Sequence, residues 1–424
     1  MAETRSYPLC LFANLVNELM VRVPDERHAR ALIAVSPRKI WLTRPGDVVV
    51  LPVEPPRQFW EYAHETLGLQ PGDVELLVAD STPLRPLAHR LRDLDLVESL
   101  RGLLATRPGV RGLPFALDRP TLELFAELGL DVDGYADGVP DAAVETAYRL
   151  NTKSGFHDLA ERLHIPTVPG VFCADRTELR AALDRLLGAG KGAVVKLDRS
   201  SNGFGLLFVH PHQRPELDDL LDAQLRSLAG QPEGWLVEEL LQVDEVLTVE
   251  MWSAQDGPVV VHTGQMNTPN GSFSGQLTPP SRWTGHLDEL SAHGLTWGAR
   301  LHAAGYRGPF DLDAITSAGR LFVTETNVRR TGTTYLEFLV RRLVPDDQQV
   351  VWLADSRVGS RELSFAQAVK ALQSAGIAFT DGTGVVLTAD TRALDRKWRF
   401  LIVGADHDHV GRIEKQLNNI LELS

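Results

Sequence analysis

Two cysteines in 424 residues, Cys10 and Cys173, leave little room for sulfur chemistry. They form no C-x-x-C pair and no histidine spacing completes a zinc set, so free thiols in a reducing cytoplasm are expected. Basic charge is scarce as well. The formal net charge is −13, and no run of Lys or Arg could neutralise a phosphate backbone, which argues against nucleic acid as a partner. Long apolar runs are missing. The opening stretch MAETRSYPLCLFANLVNELM is broken by Asn14 and Asn17 and has no basic leader, so neither a signal peptide nor a membrane span is expected. What remains, 43% hydrophobic and 23% charged residues, is ordinary for a soluble chain. At roughly 150 residues per domain it has the length for two or three domains.

The first third alternates strand-like and helix-like patterns. Pro8 to Val16, Ile40 to Thr43, Val48 to Val53 and Val74 to Ala79 read as strands; Leu84 to Leu104 and Thr121 to Leu130 carry helical spacing. The alternation predicts an α/β layer with a largely parallel sheet. A boundary is expected after the turn-prone segment Asp131 to Pro140, near Asn151, and another near Pro345. This gives domains at 1–150, 151–344 and 345–424. Inside the second domain, helices are expected at Ser154 to Leu163 and Arg176 to Leu187, with an extended IPTVPG between them, because proline cannot continue a helix. The tail should hold a helix over Phe365 to Ser374, strands at Gly384 to Leu387 and Phe400 to Val403, and a helix from Val410 to Leu423.

GAVVKLDRSSNGFGLLFV, Gly192 to Val209, is the most informative stretch. An apolar run ends in Lys196, a polar loop follows, and a second apolar run closes it. Gly203 and Gly205 permit close backbone approach to a ligand, and successive N–H groups in such a loop can cradle phosphate oxygens. A strand follows the G-x-G, so the dinucleotide fingerprint fails its context. Arg185 and Gly192 break the P-loop pattern. A plain glycine hairpin explains the loop equally well by itself. Arginine greatly outnumbers lysine, which makes Lys196 at a strand end unusual. Lys153 opens a helix, a poor dipole position for a cation unless an anion binds there too; alone, it reads as a surface lysine.

A second stretch is GPFDLDAITSAGRLFVTETNVRRTGTTY, Gly308 to Tyr335. Asp311 and Asp313 share one face of a strand, as do Glu325 and Asn327 on the next. Acids inside apolar strands are costly unless paired, and Mg²⁺ prefers such hard oxygen ligands. Arg329 and Arg330 beside them suit phosphate recognition; an exposed hairpin is the bland alternative. His210 with His212, and Asp406 to His409, have spacing that could hold a metal, but read better as solvated turns.

In order and spacing these pieces resemble the ATP-grasp superfamily. That resemblance implies an N-terminal pre-ATP-grasp α/β domain, a grasp core of two α+β subdomains and a small C-terminal α+β domain. It implies an ATP site with Lys153 and Lys196 on the phosphates and Ser200, Ser201, Asn202, Gly203 and Gly205 as the mobile loop. Glu238, Glu239, Leu240 and Leu241 would form the adenine hinge, Glu245 would hold the ribose, and Ile315 would point at adenine. Asp313, Glu325 and Asn327 match the metal ligands, with Asp313 preferred to Asp311. Arg329, with Lys196, would act on the transferred phosphate.

The flanking domains and the tail AGIAFTDGTGVVLTADT are similar to the bacterial peptide ligases of pheganomycin biosynthesis. The implied reaction is an ADP-forming ligation of an amino-acid carboxylate to a peptide amine in the cytoplasm, with ATP and Mg²⁺. The segment Asn267 to Pro280 is a candidate lid. A dipeptide-forming or other small-acid ligase, and a non-catalytic ATP-binding sensor, are the alternatives. The substrates' identities stay open, as does the oligomeric state, a homodimer included.

Overall fold

In the computed structural model the described residues are 5–20, 26–80, 84–228, 233–282, 285–345 and 347–423. The α/β class expected from the sequence is the class observed. Four short strands, β1 (Leu9–Phe12), β2 (Val48–Leu51), β3 (Glu75–Val78) and β4 (Arg111–Pro114), form a wholly parallel sheet in the order β3-β2-β1-β4. Every residue of β1 and β2 is buried, as expected of parallel strands covered on both faces.

Two expected elements differ. Ile40 to Thr43 is the end of a 3₁₀ helix, Ser36–Leu42, and not a strand. Pro37 at its first turn fixes φ and has no N–H to give a sheet, whereas the Thr43 N–H closes a turn onto the Ile40 carbonyl at 3.0 Å. The single long helix expected over Leu84 to Leu104 is two, Leu87–Asp93 and Val97–Ala105. They are broken where Asp95 takes φ 55°, a conformation no helix tolerates.

The next four strands, β5 (Gly170–Cys173), β6 (Ala193–Leu197), β7 (Leu207–Val209) and β8 (Trp235–Glu239), make an antiparallel sheet ordered β5-β8-β6-β7. It has a hydrophobic cluster of its own, built from Leu179, Leu183, Val195, Val209, Leu221, Val237 and their neighbours. Alternation divides its faces: Ala193, Val195 and Leu197 enter that core, while Val194 and Lys196 line a cavity on the other side.

The third sheet has eight strands: β9 (Glu245–Ala254), β10 (Gly257–Asn267), β11 (Gly275–Thr278), β12 (Gly308–Ser317), β13 (Arg320–Asn327), β14 (Val351–Val358), β15 (Gly384–Asp390) and β16 (Lys397–Gly404). Their order is β13-β12-β9-β10-β11-β14-β16-β15. The strands after position 345 therefore continue the sheet by pairing β14 on β11, which satisfies a row of edge N–H and C=O groups. One large hydrophobic cluster runs through the parallel sheet and this one, from Leu9 to Leu421. Among the described residues no helix is long and apolar enough to cross a membrane.

The 3₁₀ segment is held to the far end of the chain. The buried Trp41 donates its indole N–H to the Thr388 carbonyl of β15 at 2.8 Å. Trp41→Phe keeps the ring volume nearly intact but orphans that carbonyl. It should lower stability by about 1–3 kcal/mol, read from the chemical denaturation midpoint; an unchanged midpoint would contradict the anchoring role.

Candidate functional site

Lys153 and Lys196 reach one place because Asp198 ties their elements together. Asp198 follows β6; its carbonyl accepts from the Lys153 N–H and its carboxylate from the Ser154 N–H, both at 2.7 Å. It thus supplies acceptors for the orphan donors at the start of the helix Lys153–Arg162. Thr152 adds the N-cap, accepting from the Gly155 N–H at 2.9 Å. Gly155 itself is required: a Cβ there would stand 2.2 Å from the Arg149 carbonyl oxygen.

The carboxylates come from a hairpin in register. β12 and β13 pair Asp311 with Asn327 and Asp313 with Glu325. Asp311 accepts from the Asn327 backbone N–H at 2.7 Å and from its side-chain amide at 3.0 Å, and Arg329 donates to the Asn327 amide oxygen at 2.6 Å. Asn327 is thus spanned between an acid and a guanidinium, and as a metal ligand it would share its oxygen with Arg329. Glu325 accepts from Lys153 at 2.6 Å. In the smaller sheet Glu238 lies between Lys196 at 2.6 Å and His157 at 3.1 Å.

These pairings decide the electrostatics. Burial alone would raise the Glu238 carboxyl, but Lys196 and His157 bring it below its ordinary value. Glu325 behaves alike: burial raises it, and Lys153, Lys196 and Arg329 pull it below. At Asp313 the pull of Thr248 and Lys153 is outweighed. Burial, then Asp311 and Glu325, push it well above the usual range. Asp311 is raised too, by burial and by Glu250. A sheet that buries this much uncompensated acid is suited to a divalent cation. Among the described residues no three or more His, Cys, Asp or Glu form an all-protein metal cage. Mg²⁺ does not require one, because it takes one or two carboxylates and completes its shell with phosphates and water.

All of this faces a cavity of about 1020 Å³, at the top of the roughly 300–1,000 Å³ typical of small-ligand pockets. It gathers Lys153, Lys196, Ser200, Ser201, Asn202 and Gly203; Glu238 to Leu241; and Ile315, Asp311, Asp313, Glu325, Asn327 and Arg329. Two expected residues do not line it. Glu245 opens β9, where the residues that line the cavity are Val246 and Thr248, so strand alternation aims Glu245 the other way. Gly205 serves packing, since a Cβ there would stand 2.3 Å from Leu197. The hinge differs in detail: the Glu239 and Leu240 N–H groups are already taken by the Pro169 and Gly192 carbonyls, at 3.0 and 2.9 Å. Part of the candidate lid is strand β11, and its Thr268–Ser274 loop meets the glycine loop, Ser272 Oγ lying 2.6 Å from where a Gly203 Cβ would be. His210 and His212 stack on each other, and Asp406 caps the helix His407–Leu421.

Some residues at the site gave no sequence signal. His157, which holds Glu238 without lining the cavity, looked like any polar position of a helix. Arg38 and Phe115 come from the parallel-sheet domain, and Arg399 and Phe400 from β16; only the fold brings them here.

The comparisons with known proteins agree with this arrangement. Residues 36–130 match the family described as the Pre ATP-grasp domain, and residues 367–417 the PGM1 C-terminal domain. Biotin carboxylase from Campylobacter jejuni superposes with a TM-score of 0.61 at 12% identity, over 99% of this chain and 92% of that one. N5-carboxyaminoimidazole ribonucleotide synthetase from Thermus thermophilus gives 0.58 at 13%, over 98% of each chain. The chain has an ATP-grasp fold. Among curated relatives, formate-dependent phosphoribosylglycinamide formyltransferase from Shewanella amazonensis is 31% identical over 199 residues, 45% of this chain. The match spans about half, 47%, of that relative's length. A biotin carboxylase domain from Hydrogenobacter thermophilus, with a TM-score of 0.62 at 12% identity over 99% of this chain and 91% of that one, is described as a complex with MgADP, ADP and bicarbonate.

The acid cluster makes a pH prediction. A carboxyl whose folded pKa lies above its unfolded value stabilises the fold while protonated, and that contribution is lost as pH rises from the unfolded value through the folded one. Asp313→Asn keeps an acceptor for Thr248, which hydrogen-bonds Asp313 in the wild type, and removes the titration. Without divalent cations the variant should exceed wild-type stability by a margin that is small near the unfolded aspartate pKa of about 4 and grows as pH rises above it. A margin that does not change with pH would contradict the burial of an uncompensated Asp313.

Proposed function

We propose that this protein is an ATP-dependent, Mg²⁺-requiring carboxylate–amine ligase that activates a carboxylate as an acyl phosphate and releases ADP. The observation that carries the reading is the meeting of Lys153 and Lys196 with the Asp313–Glu325 register pair in one cavity. Both lysines are held on carboxylates, Glu325 and Glu238. An incoming polyphosphate would take over the lysines, and Glu325 would be released toward a cation. Mg²⁺, when bound, would supply positive charge that offsets the phosphates. Asp313, Glu325 and Asn327 would hold it, with Asp311 orienting Asn327.

A carboxylate oxygen is a poor leaving group. Attack on the γ-phosphorus of ATP breaks the γ-P–O bond, frees ADP and turns the carboxylate oxygen into the bridging oxygen of an acyl phosphate, a mixed anhydride, while Lys153, Lys196 and Arg329 spread the charge that develops. The amine then adds to the acyl carbon, its proton passes to a base, and inorganic phosphate departs.

The finer reading is a peptide ligase that couples an amino-acid carboxylate, plausibly nonproteinogenic, to a peptide amine. Its support is the cavity's extent, from Arg38 and Phe115 to Thr388 and Arg399, together with the C-terminal family match in the tail that carries the peptide-ligase resemblance. A dipeptide-forming ligase uses the same chemistry, and free amino acids against longer peptides as acceptors separates the two.

The first test separates nucleotides after incubation with ATP, Mg²⁺ and mixed amino acids, with hydroxylamine as the amine. ADP, phosphate and a hydroxamate are expected; AMP with pyrophosphate would overturn the mechanism. In the second, Glu325→Gln should leave circular dichroism unchanged and lower turnover at least about 100-fold, in line with the loss of about 3 kcal/mol of electrostatic stabilisation. Near-normal turnover would remove Glu325 from the site.

A further inference from the structure

The cations lining the cavity are not alike. Lys153 and Lys196 are ion-paired, and Arg399 is anchored from behind by Asp395 at 2.7 Å and by Thr391. Arg329 lies in the field of Asp311, Glu325 and Asp313. Arg38 differs from all of them. Like Arg329, among the described residues it forms no ion pair and has a buried Nε without a hydrogen-bond partner, but unlike Arg329 it has no acid acting on it. Its guanidinium lies 5.1 Å over the Tyr335 ring, and Tyr335 also hydrogen-bonds it. Arg399, which lines the same cavity from the C-terminal strands, repels it.

The setting is built for a ligand. Arg38 sits on the 3₁₀ segment that Trp41 fixes to β15, so the two arginines keep their separation. Arg38 Nη1 is 3.9 Å from where a Cβ of Gly332 would be, with Phe273 at 3.8 Å on the other side. Asp355 also lines the cavity, but Arg357 neutralises it at 2.8 Å. Two like charges facing one desolvated space, one without a counter-ion, are stabilised by a planar anion that accepts from both guanidinium forks.

We infer that Arg38 and Arg399 form a subsite for a substrate carboxylate other than the one being activated. This rests on the ligase reading and narrows it: one substrate carries a free carboxylate remote from the reacting centre. Its sources are the C-terminus of an amino-acid or peptide acceptor, or a second carboxylate on the donor.

The test uses the full chain and an amino-acid donor mixture that includes aspartate and glutamate. Acceptors are a set of dipeptides supplied either as free acids or as the matching amides, with hydroxylamine as a carboxylate-free comparator. The wild type should couple the acids at least about tenfold faster than the amides, and Arg38→Gln should abolish that preference while ligation falls further than hydroxamate formation. If the donor is the source, Arg38→Gln should instead lower hydroxamate yield from aspartate and glutamate alone. Arg399→Gln should give the same pattern, which guards against misfolding of the first variant. Equal use of acids and amides by the wild type with no selective loss of the aspartate and glutamate hydroxamates in Arg38→Gln, or a uniform fall across all donors and acceptors in that variant, would overturn the subsite. If no hydroxamate forms at all, the ligase reading fails on its own. The subsite is then judged by calorimetry of trialanine against trialanine amide, where tighter binding of the acid that disappears in Arg38→Gln supports it and equal binding sinks it.

Discussion

The Lys153–Glu325 pair, at 2.6 Å, is the contact on which the arrangement of the site depends. Its two ends belong to different structural units, the helix that precedes the smaller sheet and the β12–β13 hairpin of the eight-stranded sheet. Without Lys153, Glu325 would lose the cation that acts on it most and stand beside Asp311 and Asp313 with only Lys196 and Arg329 to offset it. With it, the hairpin tolerates its acids and the helix start is fixed over the cavity. Lys196 on Glu238 repeats the device within the smaller sheet. Each lysine is thereby held at the cavity wall by an acid that a more highly charged ligand can displace.

Much of this was legible in the sequence for reasons that can be named. Asp311, Asp313, Glu325 and Asn327 stood out because acids inside apolar strands need an explanation, and strand period fixes which of them share a face. The helix around Lys153 announced itself through its helical run and the prolines of IPTVPG that end it, and Thr152 as its cap came from the structure. The glycine-loop register followed from an apolar run on either side. The failures have equally local causes. Ile40 to Thr43 has a strand's composition, but Pro37 imposes a 3₁₀ turn. Glu245 has the right residue type at the right spacing, yet begins a strand whose alternate residues, Val246 and Thr248, take the cavity face. Gly203 and Gly205 looked equivalent, and only packing against Leu197 separates them. Arg38, Phe115 and Arg399 could not be found by any pattern, because their nearness is created by strand order across the whole chain.

The eight-stranded sheet explains why a nucleotide-sized grasp is joined to so large a cavity. By pairing β14 on β11, the chain adds the C-terminal strands to the sheet that carries the acids. Trp41 then clamps the N-terminal 3₁₀ segment to the same strands. The two terminal regions are therefore walls of the cavity. A phosphate-handling centre common to many reactions can keep its geometry while those walls set what it acts upon, as expected when function resides in sites carried by a shared fold.

The most direct measurement of the central claim is the fate of a carboxylate oxygen. A donor labelled with ¹⁸O in its carboxylate, ligated in the presence of ATP and Mg²⁺, should deliver one ¹⁸O atom to inorganic phosphate for each amide formed, because the oxygen that attacks the γ-phosphorus leaves with it. Label recovered in AMP, or phosphate that carries none while amide accumulates, would contradict an acyl phosphate formed between Lys153, Lys196 and the Asp313–Glu325 pair.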